Sequence, residues 1–391
     1  MTDRTDWRRV GLLLGAGIVA ALHIGKLPPA LPLLSVELGL GLVQAGILVS
    51  VFNAIGALGG MFCGALAERA GVRRSMLAGL VLLAVCSAAG AMASTFPQLL
   101  ALRLLEGLAF MFTVTAVPSL IVRAVLPAEH RQALGLWGSY MPTGMALMMS
   151  AGALMQGIGG WRTVWWLGAA LSVLWAALLA RSVPPDMARA TAERPSASAL
   201  LRAGLRRRPL ALAACFSCYA AQFLAVMAFL PTLLVQRAGW GVVAAGLMAA
   251  AIVAVNAAGN VMAGGLAARG LPASRVLWTT ALAMGVLGIG VFAEALPLPL
   301  RLGLAFGFSF VGGVIPGTLM GAAAQHAPRP ELAGAAMGLL LQGAGLGQVL
   351  GPPLLGSAVQ FSGSWQVGAA FCAVFATLAA ALGAYGGRRS G

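Results

Sequence analysis

The sequence predicts an all-α membrane protein with twelve transmembrane helices in two pseudo-symmetric six-helix halves and both termini in the cytoplasm. Three observations predict it. Sixty per cent of the residues are hydrophobic and only 9% are charged, with a mean hydropathy of +0.92, which leaves too little polar surface for a water-soluble domain of 391 residues. Apolar runs of bilayer-crossing length, about 20 residues, recur along the chain. The arginines cluster in alternate gaps between those runs. The 53 glycines fit the same reading, because in lipid small residues let helix backbones approach closely.

The runs fall at 10–34, 42–66, 75–95, 98–122, 132–156 and 162–181, then at 209–235, 241–266, 275–295, 297–322, 332–358 and 364–386. The first holds His23 and Lys26 and is too long for a cleaved leader. The second carries Asn53, the fourth Arg103 and Glu106, and the fifth the apolar pair Met148–Met149. The seventh contains Tyr219 and Gln222, and the eighth Asn256 and Asn260. Arg301 begins the tenth, where its side chain is expected to reach back to the interface. The eleventh is rich in glycine, holds Gln342 and Gln348, and ends in Gly351-Pro352-Pro353, a pattern for a bend or tight packing. All five cysteines (Cys63, Cys86, Cys215, Cys218, Cys372) lie in apolar runs as small hydrophobes. Cys215-Phe-Ser-Cys218 has zinc spacing, but no second pair of ligands stands near it in sequence, so no metal or cofactor is expected.

The loops fix the expected topology. With the N-terminus inside, the inner segments carry Arg4, Arg8, Arg9, Arg69, Arg73, Arg74, Arg123, Arg131, the group from Arg181 to Arg208, Arg269, Arg275, Arg329, Arg388 and Arg389. The outer loops carry Arg162 and Arg237. This is the bias that places basic loops in the cytoplasm. The net charge of +15 is therefore a topology signal. It forms no basic stripe with interleaved aromatic residues, which excludes nucleic acid as a partner. His130 and His326 fall in cytoplasmic loops. Trp7, Trp161, Trp240 and Trp365 fall at run ends, as an interfacial belt requires.

The halves repeat. Residues 1–180 form the first bundle, 181–208 an Arg-, Pro- and Ser-rich cytoplasmic linker, and 209–391 the second bundle. Gly64-Ala-Leu-Ala-Glu-Arg69 recurs as Gly264-Gly-Leu-Ala-Ala-Arg269. Arg103, Phe110 and Pro118 recur as Arg301, Phe308 and Pro316, and Gly160-Trp-Arg162 as Ser364-Trp-Gln366. Internal repeats of this kind underlie many secondary transporters, whose substrate site lies between the repeats.

These residues carry a resemblance to the major facilitator superfamily. The segment Gly64-Ala-Leu-Ala-Glu68-Arg69-Ala-Gly71-Val-Arg73-Arg74 is similar to the family's signature loop after the second helix. Glu68 stands where the family has Asp, and the second copy has Ala268 there. The resemblance implies that Gly64, Glu68, Arg69, Gly71, Arg73 and Arg74 form a gating loop on the cytoplasmic side. Arg103-Leu-Leu-Glu106-Gly107 is similar to the family's Arg-x-x-x-Gly motif on the fourth helix, which the family ties to proton coupling. The exporter element of the fifth helix is reduced to Pro142 with Gly138 and Gly144 loosely spaced around it, a departure from drug exporters. Gly25-Lys-Leu-Pro-Pro-Ala-Leu-Pro32 resembles the cyanate and nitroimidazole porter subgroup. The resemblance also implies a multi-pass protein of the bacterial inner membrane that works as a monomer, with membrane lipid around it and no enzymatic activity.

Lys26 is the single lysine, and His23 precedes it by three residues on one helical face. A lysine at the centre of a membrane helix costs about 2.5–3.5 kcal/mol on insertion scales, so it faces a cavity or a partner. At 1.5 Å per residue, Lys26 lies roughly 12 Å below the outer end of its helix and Arg103 and Glu106 roughly 8–12 Å deep. In the resembled fold the first, fourth, seventh and tenth helices line a central cavity. The expectation is that Lys26, His23 and Arg103 attract an anionic substrate and that Glu106, the only acid well inside a run, takes a proton. A purely structural ion pair is the bland alternative. Asn53, Tyr219, Gln222 and Asn256 are further substrate-binding candidates, set against ordinary interhelical hydrogen bonding.

The leading expectation is a secondary active transporter of a small organic anion, moved with protons by symport. The alternatives are an efflux pump for amphipathic compounds or a siderophore and, in another class, a transporter-like membrane sensor. An ATP-driven pump is excluded by the lack of a Gly-x-x-x-x-Gly-Lys loop.

Overall fold

The computed structural model describes residues 5–126, 129–186, 207–326 and 333–388. Those residues are helical, with no strand among them. In chain order the helices are α1 (Trp7–Gly25), α2 (Leu27–Glu37), α3 (Leu42–Ser50), α4 (Ala54–Ala70), α5 (Val72–Ala91), α6 (Phe96–Ala124), α7 (His130–Trp137) and α8 (Tyr140–Ser182). After the gap come α9 (Arg207–Ala238), α10 (Val242–Ala268), α11 (Ala273–Phe292), α12 (Leu298–His326), α13 (Ala333–Ser362) and α14 (Val367–Gly386). The linker expected at 181–208 lies mostly outside the described residues.

Ten helical segments among the described residues are long and apolar enough to cross a membrane. The expected first run is two helices that meet at Lys26. Pro28 and Pro29 lack N–H groups, so the Ile24 and Gly25 carbonyls lose their intrahelical partners and the ladder breaks there. The expected fifth run starts as the separate α7, which stops where the Ser139 hydroxyl donates to the Leu136 carbonyl at 2.7 Å. The expected break between the fifth and sixth runs is real: α8 is divided at Gly159 and Gly160, the latter with φ +70°, a left-handed conformation suited to glycine.

By contacts the chain forms two compact units. The first comprises 1–40, 62–188 and 230–254, and the second 41–61, 189–229 and 255–391. Three helices are therefore shared: α4 changes unit just after the non-helical Gly59, α9 changes next to Pro231, and α10 changes between Ala254 and Val255.

In the first unit α1 lies against α8. Trp175 Nε1 donates to the Leu12 carbonyl at 2.9 Å, and Gly25 packs directly on the Met145 backbone. Gly79 of α5 similarly lies on the Ala109–Thr113 turn of α6. At one end of the unit, Glu37 receives Trp161 Nε1 at 2.8 Å and Arg162 Nη1 at 2.6 Å, which ties α2 to the α8 break.

In the second unit α13 is clasped on two faces. Gly343, Gly347 and Gly351, one turn apart, rest on the backbones of Ala213, Ser217 and Ala221 of α9. Gly345 and Gly356 rest on Ala57 and Leu42. The glycine-rich run thus serves close packing, as small residues do where lipid gives helices no hydrophobic reason to associate.

Candidate functional site

The site is built on the break in the first span. As the last turn of α1 ends, His23 and Lys26 emerge on one face, and the carbonyls near that end lack intrahelical donors. Arg103 of α6 reaches this turn: its Nη1 donates to the His23 carbonyl at 2.7 Å and to Glu106 Oε2, one helical turn along α6, also at 2.7 Å. Glu106 Oε1 takes the Lys26 ammonium in a short ion pair. Lys26 Nζ also donates to Ser87 Oγ of α5 at 2.9 Å and stands 3.3 Å from His23 Nδ1. His23 Nε2 meets Ser172 Oγ of α8 at 2.9 Å. Trp165 closes the site, with Lys26 Nζ 4.6 Å from its ring centroid, a cation–π contact.

All four charged or titratable side chains are sealed: His23 and Lys26 are 0% exposed, and Arg103 and Glu106 1%. Two hydroxyls anchor the cluster to backbone. Ser87 donates to the Trp165 carbonyl at 2.7 Å and Ser172 to the Gly168 carbonyl at 2.8 Å. With their protons so used, both serines present lone pairs to Lys26 and His23. The three N–H groups of Lys26 then match three acceptors: Ser87 Oγ, Glu106 Oε1 and His23 Nδ1. Electrostatically, two cations face one carboxylate within a buried site, where charges are tolerated only when paired and hydrogen-bonded.

The chain matches the family model for the Major Facilitator Superfamily over residues 13–352. The chain belongs to this superfamily. It is a multi-pass membrane protein of a transporter family. It is 29% identical to the 3-(3-hydroxy-phenyl)propionate transporter of Escherichia coli (strain K12) over 243 residues, covering 61% of this chain and 58% of that protein. It is also 29% identical to the Methylenomycin A resistance protein of Streptomyces coelicolor over 132 residues, 34% of this chain and 28% of the relative. The matches thus span less than two thirds of these relatives' length. In fold it is similar to a bacterial homologue of the human lysosomal transporter Spinster. The inward-facing unoccupied structure gives a TM-score of 0.81 at 16% identity over 97% of both chains. The occupied one gives 0.84 at 15% identity, covering 100% of this chain and 98% of that one.

Within this superfamily member, the residues singled out in the sequence fall into three groups. Lys26, His23, Arg103 and Glu106 meet, but against α5 and α8 of their own unit. In the second unit, Asn256 Nδ2 donates to Tyr219 Oη at 3.3 Å and to the Ser309 carbonyl at 2.9 Å. Gln222 is 0% exposed with neither amide atom bonded among the described residues, and the buried Asn53 leaves its Nδ2 without a partner there. The gating segment forms the third group. The surroundings of Gly64 and the side chain of Glu68 lie outside what the structure describes, and Arg69 is exposed. Gly71 has φ +98° and turns the chain into α5. Arg73 donates through Nε to the Val183 carbonyl at 2.8 Å and through Nη2 to the Ala180 carbonyl at 2.7 Å, capping the end of α8. Asp186 accepts the backbone N–H groups of Arg73 and Arg74, each at 3.1 Å, capping the start of α5.

Sequence reasoning missed Ser87, Ser172, Trp165 and Asp186. Serines in membrane helices bond locally so often that nothing in the text marked these two. Asp186 carried a usable signal as one of two acids, with Glu193, among the arginines of the linker.

Proposed function

We propose that this protein is a secondary active transporter of a small organic anion, working by alternating access and coupled to protons. Its twelve transmembrane spans form the halves 1–180 and 209–391, with both termini in the cytoplasm, in a bacterial inner membrane and as a monomer. The observation that carries the reading is the buried cluster on α1 and α6, where Lys26 and Arg103 face the single carboxylate of Glu106. A site with more cationic than anionic side chains, removed from water, favours a negatively charged ligand and gives protons a group to act on. The named substrate of one relative, a propionate, has the matching charge. Lys26, Arg103 and His23 are the proposed anion-attracting groups, with Asn53, Tyr219, Gln222 and Asn256 as neutral polar contacts. The segment 64–74 is the proposed gate, with Asp186 and Arg73 holding its end.

The test is uptake by proteoliposomes of radiolabelled 3-(3-hydroxyphenyl)propionate and simpler arylalkanoates under an inward proton gradient. Accumulation that is abolished in Lys26→Ala supports the reading. Uptake unchanged in both Lys26→Ala and Glu106→Gln makes the cluster structural. One observation favours a second reading, export of an amphipathic compound: the similarity to a protein named for resistance to methylenomycin A. Thermal stabilisation by lipophilic cations alone, with no response to carboxylates, would establish it instead.

A further inference from the structure

We infer that the group taking the coupling proton is the His23 imidazole rather than the Glu106 carboxylate; this rests on the transporter reading above. The geometry of the cluster assigns the resting state. Ser172 spends its hydroxyl proton on the Gly168 carbonyl, so at 2.9 Å it accepts from His23 Nε2. The neutral imidazole therefore carries its proton on Nε2 and turns the bare lone pair of Nδ1 toward Lys26 Nζ at 3.3 Å and Glu106 Oε1 at 3.5 Å. Glu106 has no comparable vacancy. Its two oxygens are held by two different cations, Lys26 on Oε1 and Arg103 on Oε2. A proton added to the carboxylate would confront an ammonium or a guanidinium that already occupies the site. The Nδ1 lone pair is the basic position in the cluster that is engaged only by a single weak donor.

The groups facing the imidazole are Lys26 from its own span, Glu106 and Arg103 from α6, Ser87 next to Cys86 on α5, and Ser172 on α8. Protonation at Nδ1 breaks the Lys26 N–H···Nδ1 bond, because both nitrogens are then donors. The new N–H is aimed at the same Glu106 oxygen that Lys26 holds. His23 then competes with Lys26 for Oε1, and the ammonium is freed to meet an anion. The proton adds one positive charge to a cluster that already has a positive excess, and an arriving monoanion restores the earlier balance. Proton and anion therefore favour one another's binding, by equal factors.

The experiment is NMR of protein labelled with 15N-histidine, reconstituted without substrate. The chain has three histidines, and a His23→Gln sample assigns the signals. In the wild type, His23 is expected as the neutral Nε2–H tautomer at pH 7. In Lys26→Met it is expected as imidazolium at the same pH, since the competitor for Glu106 is gone. A neutral His23 in a folded Lys26→Met protein, or an Nδ1–H tautomer in the wild type, overturns the proposal. A second arm measures proteoliposome transport of 3-(3-hydroxyphenyl)propionate. His23→Gln is expected to lose gradient-driven accumulation more than tenfold and to leave whatever counterflow remains independent of pH. Gradient-driven accumulation retained in His23→Gln also overturns it. If the wild type moves none of this probe, the substrate reading fails, while the NMR result still decides for or against His23.

Discussion

Lys26 and Glu106, 80 residues apart in the chain, form an ion pair that is almost wholly shut off from solvent. The two partners are not equivalent. Lys26 contacts one carboxylate, whereas Glu106 balances both Lys26 and Arg103. Removing the lysine leaves the Arg103–Glu106 pair intact; removing the acid leaves two buried cations facing one another.

That asymmetry predicts an order of stability. Loss of one partner of a buried pair costs about 3–5 kcal/mol when it strands a charge. Glu106→Gln is expected at that cost, and Lys26→Met at well under it. Melting of the purified variants in one detergent checks this; a Lys26→Met protein melting below Glu106→Gln would contradict the assignment.

The α9–α13 contact predicts a sharp size limit. Gly347 lies against the Ser217 backbone, so Gly347→Leu has no room without moving a helix. Overpacking of this kind costs about 1–3 kcal/mol or more. Gly303 of α12 has nothing within 4 Å of an added Cβ, so Gly303→Ala is expected to be neutral or to gain about 0.4–1 kcal/mol. Fluorescence-detected melting curves of the two variants should move in opposite directions or differ by several degrees.

At the end of the first unit, the Glu37–Arg162 pair is short but roughly 40% exposed on each side, at 43% and 39%. Exposed pairs are worth about 0.2–1 kcal/mol and weaken with salt. Glu37→Gln should therefore shift stability by less than 1 kcal/mol, and the difference from wild type should shrink at high salt. Because the glutamine oxygen can still accept from Trp161 Nε1, a loss as large as that of Glu106→Gln would show that the charge on Glu37 is worth far more than an exposed pair.

The turn at Gly71 predicts a local effect. Asp186 accepts two amide protons at the start of α5, and such caps are worth about 0.5–2 kcal/mol each. In Asp186→Ala the amides of Arg73 and Arg74 should exchange hydrogen faster, with little change deep in α5. Hydrogen–deuterium exchange with peptide-level resolution measures this; unchanged exchange at 72–76 would show that Arg73 alone holds the end of α8.

The sequence by itself determined the class. Composition and the length of the apolar runs dictate membrane helices, since a bilayer leaves the backbone no partner except itself. The Gly159–Gly160 break was legible as the gap between the fifth and sixth runs, since the allowed φ belongs to glycine itself, whereas the proline pair after Lys26 breaks a run that was expected to be continuous from 10 to 34. The charged set was legible as well, because lysine, arginine and glutamate are rare enough at membrane depth to stand out. What they face was not. The depth estimate brought Lys26, His23, Arg103 and Glu106 to one level, but the helical rise says nothing about the direction of a side chain around the axis. Only tertiary packing turned them toward Ser87, Ser172 and Trp165 on α5 and α8, and only packing assigned 41–61 and 230–254 to compact units other than those of their chain neighbours. Those choices rest on contacts between residues far apart in sequence, made by serines and glycines too common in membrane helices to announce their partners.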